Sequence, residues 1–353
     1  MRRMERFGRT GNGEPDDFHL TGTAAIAEVE QQLRDWYGAA YALCLSNATD
    51  ALRAIAIAIG LKNAEFITTP LTWGGSIAEW LRLENRAHFA ALDPLTLTLS
   101  PESVRVAITP RTQAILAVDI FGNPADMTTL RNIADEHDLW FISDASQSLG
   151  ARRDGLPASS LADAWVVSFG TGKGVDAGDG GAILTNNRHL HERLLWETQH
   201  PSRQRRELGL SLDNEFASNC RMNPWTAIWL AETLDAQMAA IFSRRIELQD
   251  RLRNPSVSRL VTGAVDDRRI EPSFQRIVLS WRSASAADEL LQRLGNEQWR
   301  ANIEQLSIRP LFQQPSFVAQ YLKRSSGVRE EHSMGVDLSK YFCIGSISGE
   351  AFS

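Results

Sequence analysis

The residues best suited to chemistry include a lysine in a glycine-rich segment. Positions 168–173 read SFGTGK and positions 178–181 read GDGG, with a predicted strand on either side. Glycines let a backbone approach a ligand closely, so this segment can hold Lys173 against a carbonyl group. The P-loop motif needs Ser or Thr after its lysine, where this chain has Gly174, and a dinucleotide fingerprint is followed by a helix rather than a strand.

An acidic residue, Asp144, follows the apolar segment 139–143. A carboxylate at the end of a buried strand is costly unless it meets a cation or several hydrogen-bond donors. A ligand with a basic ring nitrogen would supply such a partner. The other interpretation, in which Asp144 only caps a helix, stays open at this point.

Two more polar segments follow predicted strands. The turn 46–50 reads SNATD, where free amides at the start of a helix would favour a phosphate; the alternative is an ordinary turn capped by Thr49. The segment 72–75 reads TWGG, and Trp73 could offer a flat face to a planar ring or pack in the core. The four features together indicate a planar, phosphate-bearing ligand with a ring nitrogen and a carbonyl. Pyridoxal 5'-phosphate (PLP) has all of these groups.

Apolar strand patterns alternate with helical patterns through much of the chain. This alternation predicts an α/β fold with a mostly parallel sheet flanked by helices, and such sheets bind ligands at the carboxyl ends of their strands. We predict strands at 41–45, 66–69, 88–92, 114–118, 140–143, 164–169 and 181–185, and helices at 24–37, 49–59, 74–83, 101–108, 126–137, 187–198 and 224–252.

The long helix at 224–252 divides the chain into two predicted domains. Residues 1–250 would form a large domain with an N-terminal arm, and residues 251–353 a smaller α+β domain. The second region has one clear strand pattern at 273–281 and helical patterns near 284–294 and 296–306.

Six segments, in order along the chain, resemble motifs of the DegT/StrS-type aminotransferases, PLP enzymes of fold type I that mostly aminate keto-sugars. They are 46–49, 70–73, 121–127, 144–147, 168–173 with its tail 178–181, and 219–222. Ala48 and Asp179 replace the glycine and glutamate that are usual in these motifs. The resemblance runs from about residue 18 to about residue 251 and is weaker beyond.

The resemblance implies a role for each matching residue. Lys173 would form the internal aldimine with PLP and move the proton, while Asp144 would pair with the pyridinium nitrogen. The cofactor-binding residues that it implies are Ala48, Thr49, Trp73, Asp144, Gln147, Ser168, Lys173 and Asn219. Trp73 would stack on the ring and Gln147 would lie near its hydroxyl. Asn219 would reach the phosphate from a neighbouring subunit, so the active sites of a homodimer would lie at its interface.

The implied reaction is transfer of an amino group from glutamate or glutamine to a cyclic ketone, in most family members a nucleotide-linked keto-sugar. Two other interpretations stay open. One is a PLP enzyme of secondary metabolism, such as antibiotic biosynthesis, that acts on a cyclitol or other non-sugar acceptor or catalyses a reaction other than transamination. The other is a non-catalytic ligand-binding or partner subunit.

The departures from the family pattern fall where substrate is expected to bind. They are Asp119 and Phe312 in place of histidines, and Gly74 and Gly75 in place of bulkier residues. A basic run offers a further candidate: Arg203, Arg205 and Arg206 could meet a substrate diphosphate or lie in a solvated loop.

The composition limits the partners of the chain. With 37 Lys and Arg against 43 Asp and Glu, the formal net charge is −6, which argues against a nucleic-acid or anionic-membrane binder. The N-terminal segment lacks the apolar core of a signal peptide. Cys44, Cys220 and Cys343 fit buried thiols in a reducing compartment, so we predict a cytoplasmic protein. No cluster at metal-ligand spacing is found, and no metal is predicted.

Overall fold

A computed structural model of the chain describes residues 18–210, 218–283, 285, 286, 289, 303–306, 309–319 and 334–346. Its helices are α1 (Phe18–Thr21), α2 (Ala24–Tyr37), α3 (Ala48–Ala58), α4 (Gly75–Arg82), α5 (Pro101–Ala107), α6 (Met127–Glu136), α7 (Arg188–Thr198), α8 (Pro201–Leu208), α9 (Pro224–Arg253) and α10 (Pro255–Ser258). Short helical turns follow at Ala264–Asp266, Leu311–Gln313, Pro315–Phe317 and Leu338–Lys340.

A seven-stranded sheet is the centre of the fold. Its strands are β1 (Tyr41–Leu45), β2 (Glu65–Thr68), β3 (Arg86–Phe89), β4 (Thr112–Val118), β5 (Trp140–Asp144), β8 (Ala164–Ser168) and β9 (Gly181–Thr185), in the order β1-β9-β8-β5-β4-β2-β3. Neighbours pair in parallel except where β9 lies antiparallel to β1 and β8. The predicted α/β fold with a mostly parallel sheet is confirmed.

Helices cover both faces of this sheet, as the alternation of side chains along its strands shows. In β1, Leu43 and Leu45 pack into the core beneath α3, α4 and α7, whereas Ala42 and Cys44 pack into the core beneath α2 and α9. The helices α5 and α6 cover a third cluster against β4 and β5. Cys44, Cys220 and Cys343 are buried, reduced thiols, as expected.

A second, antiparallel sheet follows α9. It contains β10 (Val261–Thr262), β12 (Arg276–Trp281), β14 (Tyr341–Ser346) and β13 (Ile303–Gln305), in that order. A small sheet of β11 (Ile270–Glu271), β6 (Arg152–Arg153) and β7 (Leu156–Pro157) joins this region to the loop after β5. The end of α9 packs into the core of the second sheet through Leu248 and Leu252. The domain boundary at residue 250 stays a prediction.

Sequence patterns misjudged several elements. The helix predicted over 296–306 is wrong at Ile303–Gln305, because this segment pairs with β14. The helix predicted over 284–294 lies mostly outside the described residues. The segment 201–208, read as a possible loop, is the helix α8. No described helix has the length and apolarity to cross a membrane.

Candidate active site

The turn after β1 places the amides of Ala48 and Thr49 at the start of α3. Asn47 caps the helix, since its Oδ1 accepts from the amide of Asp50 at 2.8 Å. The Asp50 carboxylate in turn accepts from the Ser46 hydroxyl at 2.8 Å and from Asn47 Nδ2 at 2.9 Å. The alternative interpretation, in which Thr49 caps the helix, is therefore wrong. Ala48 and Thr49 hold the first two helical positions, where amides have no intrahelical acceptor and attract an anion.

Two glycines bring other site residues against this turn. A Cβ atom on Gly181 would lie 2.7 Å from the Ala48 nitrogen, and Gly181 is paired with Ser168 at the end of β8. A Cβ atom on Gly75 would lie 3.0 Å from Thr49 Oγ1 and 2.9 Å from Trp73 Cδ1. The absence of side chains at these two positions therefore keeps the turn open toward the rest of the site.

Asp144 is the last residue of β5 and is buried, with 5% of its surface exposed. Its Oδ2 accepts from the Ser76 hydroxyl at 2.6 Å, and its Oδ1 accepts from the Ser146 amide at 3.0 Å. The Ser76 hydroxyl also contacts the hydroxyl of Thr72 at 2.8 Å. Residues 145–151 form turns, so the interpretation of Asp144 as a helix cap is wrong.

Lys173 lies in the loop between β8 and β9 and lines a cavity. Burial lowers the pKa of its amine, and the negative charge of Asp144 opposes part of that shift. The loop is held by local bonds: Asp176 accepts from the amides of Gly172 and Gly178 at 2.7 and 2.8 Å. A partly desolvated lysine near a carboxylate is a group suited to attack a carbonyl and then to move protons.

The cavity beside Lys173 has a volume of about 750 Å³. Its wall consists of Thr72, Trp73, Gly74, Gly75, Ile120, Phe121, Gln147, Thr171, Gly172, Lys173, Gln275, Arg276, Arg309 and Gln314. The indole of Trp73 is 78% exposed, so the interpretation of Trp73 as a core residue is wrong. Gln147 is oriented by its Oε1, which accepts from the Phe121 amide at 2.9 Å.

The other predicted site residues lie outside this wall. Ala48 and Thr49 lie in the turn after β1, Ser168 is paired with Gly181 beside that turn, and Asp144 is bonded to Ser76. Asn219 is exposed and precedes Cys220, whose carbonyl accepts from the Ser46 amide at 2.8 Å. Asn219 is therefore close in sequence to a contact with the turn after β1, but it does not line the cavity.

The structure shows where the residues that depart from the family pattern lie. Asp119 is buried, and its carboxylate accepts from the Ser148 and Ser159 hydroxyls and the Ala125 amide, each at 2.8 Å. Phe312 packs on Phe89 with ring centroids 6.1 Å apart, on the core rather than the cavity. The glycines at 74 and 75 lie in the cavity wall.

Arg203 is not a ligand of substrate phosphate. Its guanidinium is buried and makes a bidentate pair with Glu30 at 2.8 and 2.9 Å, while its Nε donates to Glu207 at 2.8 Å. Neither Arg203 nor Arg206 lines the cavity of Lys173. His200 caps α8 by accepting from the Ser202 amide at 3.1 Å.

Sequence reasoning missed six residues of the site that contact Asp144 or line the cavity: Ser76, Ile120, Gln275, Arg276, Arg309 and Gln314. Most of them belong to no recognisable local pattern, because the site brings together distant parts of the chain. Only Ser76 gave a signal, since its hydroxyl lies in the first turn of a helix that begins at the TWGG segment. No group of described residues has the arrangement of a metal site.

Known proteins resemble this chain in sequence and in fold. A UDP-2-acetamido-2-deoxy-3-oxo-D-glucuronate aminotransferase of Pseudomonas aeruginosa is 33% identical over 177 residues, 50% of this chain and 49% of the relative. A putative L-glutamine:3-amino-2,3-dideoxy-scyllo-inosose aminotransferase of Streptomyces kanamyceticus is 33% identical over 159 residues, 45% of this chain and 38% of the relative. The chain thus spans about half the length of the curated relatives it matches, or less.

A solved structure of DesI in the presence of its TDP-sugar product superposes with a TM-score of 0.70 and 26% identity, covering 92% of this chain and 80% of DesI. This agreement confirms the predicted fold of type I PLP enzymes. The model of the DegT/DnrJ/EryC1/StrS aminotransferase family, whose enzymes depend on PLP, matches residues 16–333. The chain therefore belongs to the DegT/DnrJ/EryC1/StrS aminotransferase family.

Proposed function

We propose that this chain is a PLP-dependent aminotransferase that moves an amino group from glutamate or glutamine to a cyclic ketone on a nucleotide-linked sugar. One observation carries the proposal: the fold brings Lys173, Asp144 and the open amides of α3 to one edge of the sheet. These are the three groups that PLP needs for its aldehyde, its ring nitrogen and its phosphate.

The residues present fit the cofactor. Its phosphate would be held by the amides of Ala48 and Thr49, the Thr49 hydroxyl and Ser168, and Gly75 and Gly181 leave the space for it. The exposed face of Trp73 would cover one side of the ring, and Gln147 would lie near the ring hydroxyl. Asp144 would hold a proton on the ring nitrogen, with its carboxylate fixed by Ser76.

The chemistry then divides between cofactor and protein. When bound, PLP supplies a sink for the electrons released at the substrate carbon. Lys173 would hold the cofactor covalently and, once freed, its Nζ would take a proton from that carbon and give it to the former aldehyde carbon of the cofactor. Burial favours this role, because it lowers the pKa of the amine and keeps more of it neutral near neutral pH.

The names of the relatives support the proposed acceptor and donor. The Pseudomonas relative is named for a UDP-linked oxo-sugar acid, and DesI was solved with a TDP-sugar. A cyclitol acceptor is the second candidate, because the Streptomyces relative is named for an inosose and for glutamine as donor. We place the enzyme in the cytoplasm, because three free thiols fit a reducing compartment.

We also propose that two copies form the working enzyme. Trp225 and Trp229, on one face of α9, are 44% and 49% exposed, and Trp229 Nε1 donates to the Asp176 carbonyl in the Lys173 loop at 3.4 Å. An apolar surface beside the active site suits a second copy of the chain. Asn219, exposed in its own subunit, would then reach the cofactor phosphate of the other copy.

The dimer has a direct test in the mass of the protein in solution. Trp229→Glu should give a monomer without aminotransferase activity. Val106→Glu, which places the same charge on a valine that is 87% exposed on α5, should leave both dimer and activity intact. A dimeric, active Trp229→Glu variant would place the interface elsewhere.

The reaction is tested in two halves. Addition of glutamate or glutamine to the PLP-loaded protein should convert the bound cofactor to its amino form, and a keto-sugar nucleotide should convert it back and leave an amino-sugar detectable by mass spectrometry. Conversion back by an inosose alone would favour the cyclitol function. If neither donor aminates the cofactor, the aminotransferase proposal is wrong.

A further inference from the structure

The cavity wall carries an excess of positive charge. Among its described residues, Lys173, Arg276 and Arg309 are cationic and none is acidic. This local excess runs against the formal net charge of −6 of the whole chain. A concave surface of one sign concentrates ligands of the opposite sign, so the cavity favours an anionic ligand.

The two arginines have no assigned function. Arg276 opens β12 and Arg309 precedes the turn Leu311–Gln313, and both side chains are exposed. Within the described part of the chain, neither guanidinium has an ion pair or a hydrogen bond. Many other arginines of the protein meet a carboxylate, as Arg203 and Arg245 do. Arg276 and Arg309 are therefore available to a ligand.

The backbone holds both arginines beside the Lys173 loop. Gln275, next to Arg276, donates from Nε2 to the Gly172 carbonyl at 2.5 Å, and Ser273 donates its amide to the Gly122 carbonyl at 2.9 Å. Near Arg309, the Leu311 amide donates to the Pro70 carbonyl at 2.9 Å. These bonds fix the second-sheet region to the loops of the large sheet, so the guanidinium groups belong to the same cavity as the lysine.

The cavity is large enough for a whole small-molecule ligand. Its volume of about 750 Å³ is in the range of pockets that enclose a whole small-molecule ligand, roughly 300–1,000 Å³. In the proposed function, the phosphate of PLP lies at the start of α3, where Thr49 Oγ1 is 3.0 Å from the position of a Cβ atom on Gly75. The two arginines are therefore left for an anion of the substrate.

We propose that Arg276 and Arg309 form a subsite for the diphosphate group of the amino acceptor, which is a nucleoside diphosphate sugar. The inference rests on the proposed function and names the residues that recognise its substrate. A guanidinium binds phosphate oxygens through two parallel hydrogen bonds, and two guanidinium groups match two linked phosphates. The donor's α-carboxylate is the other anion that enters this site, and the test separates the two.

The test measures binding to the PLP-loaded protein by calorimetry with UDP, dTDP and GDP, and with their uncharged nucleosides. We expect one of the three diphosphates to bind well above its nucleoside. Arg276→Gln and Arg309→Gln should each weaken that binding about tenfold, and the double variant about a hundredfold. The matched control, Arg86→Gln, removes one exposed charge of β3 outside the cavity wall and should stay within about twofold.

Glutamate gives the second readout in the same variants. Glutamate should still aminate the cofactor in each variant, and the glutamate concentration that gives half the maximal rate should rise by a smaller factor than the Kd for the diphosphate. Arg276→Lys and Arg309→Lys keep the charge but cannot form the two parallel hydrogen bonds of a guanidinium. They should recover part of the diphosphate affinity. Diphosphate binding that survives in the double variant, or equals nucleoside binding, would overturn the proposal, as would a loss confined to glutamate. A protein that aminates no cofactor yet needs both arginines for UDP binding would contradict the proposed function alone.

Discussion

Ser76 donates a hydrogen bond of 2.6 Å to Asp144, and this contact joins the first turn of α4 to the end of β5. Both side chains are buried, so the bond is shielded from water. Thr72 contacts the same hydroxyl at 2.8 Å and holds its direction. The carboxylate that would face the ring nitrogen is therefore held from two sides, by a hydroxyl of α4 and by the Ser146 amide of the turn that follows its own strand.

Removal of this hydroxyl should weaken the cofactor site. A hydrogen bond to a charged group contributes about 1.5–3 kcal/mol, so Ser76→Ala should raise the Kd for PLP about tenfold or more. Thr72→Val acts one bond further away and should have a smaller effect. Titration of the apoprotein, followed by tryptophan fluorescence, gives both constants. Equal affinity in wild type and Ser76→Ala would show that Asp144 needs no such support.

The open space at Gly75 gives a prediction with a matched control. Gly75→Ala places a methyl group 2.9 Å from Trp73 and 3.0 Å from Thr49, and overpacking of this kind costs about 1–3 kcal/mol. We therefore expect about tenfold weaker PLP binding. Gly74→Ala meets no atom within 4 Å and should bind PLP like the wild type. If both variants lost the same PLP affinity, the effect would come from any change in this segment and not from the space beside Gly75.

The interaction of Lys173 with Asp144 predicts how the reaction of the lysine with PLP depends on pH. Burial lowers the pKa of Lys173 and the carboxylate of Asp144 opposes this shift, so Asp144→Asn should lower the pKa further. The neutral amine is the reactive form, and the midpoint of covalent PLP capture by the apoprotein should move to lower pH. Stopped-flow absorbance across a pH series measures it. A midpoint that stays or rises would contradict the electrostatic coupling.

Buried Asp119 predicts how stability depends on pH. Burial raises its pKa to about 6 from 3.8, the charge of Asp144 adds to the shift, and hydrogen bonds from Ala125, Ser159 and Ser148 oppose it. Between these pH values the folded chain holds a proton that the unfolded chain has lost, so the free energy of unfolding falls as pH rises.

Asp119→Asn removes this titration and can keep hydrogen bonds to the same hydroxyls. Its free energy of unfolding should fall less between pH 4 and pH 6, by up to about 3 kcal/mol over the window. Urea unfolding at several pH values compares the slopes. Parallel slopes for the two proteins would show that Asp119 titrates alike in both states.

The ion pair of Arg203 and Glu30 predicts a structural role. Arg203→Ala leaves a buried carboxylate without its partner and should lower the free energy of unfolding by about 3–5 kcal/mol. Arg206→Ala breaks an exposed pair on the same helix and should cost less than about 1 kcal/mol. Urea unfolding distinguishes them. If Arg203→Ala changed the free energy of unfolding little but weakened substrate binding, Arg203 would be a substrate-binding residue after all.

Local sequence patterns predicted much of the fold, because many strands and helices are marked by apolar runs and by turn residues at their ends. The bounds of β1 and β9 agree with the prediction, since each is a short apolar run between turns. The bounds of α2 also agree, because Gly38 ends it in the left-handed conformation at φ 65°. The helix predicted across Ile303–Gln305 failed, since pairing with a distant strand overrode the local helical pattern.

Site residues could be predicted only where they belong to a motif within one segment of the sequence. Lys173 and Asp144 stand in recognisable motifs, whereas Ser76 reaches Asp144 across 68 positions. The local sequence of α8 is typical of a solvated segment because most of its residues are polar. The buried partner of Arg203, Glu30, lies 173 positions away. Arg276 and Arg309 enter the cavity from the second-sheet region, so no local pattern marks them.

The most direct test of the account is to find which lysine holds the cofactor. The chain has four lysines, Lys62, Lys173, Lys323 and Lys340, so borohydride reduction of the PLP-loaded protein followed by peptide mass mapping gives a clear answer. We predict one pyridoxyl group per chain, on Lys173, and none in Lys173→Ala. A label on another lysine, or no label in the wild type, would contradict the assignment of this cavity as the active site.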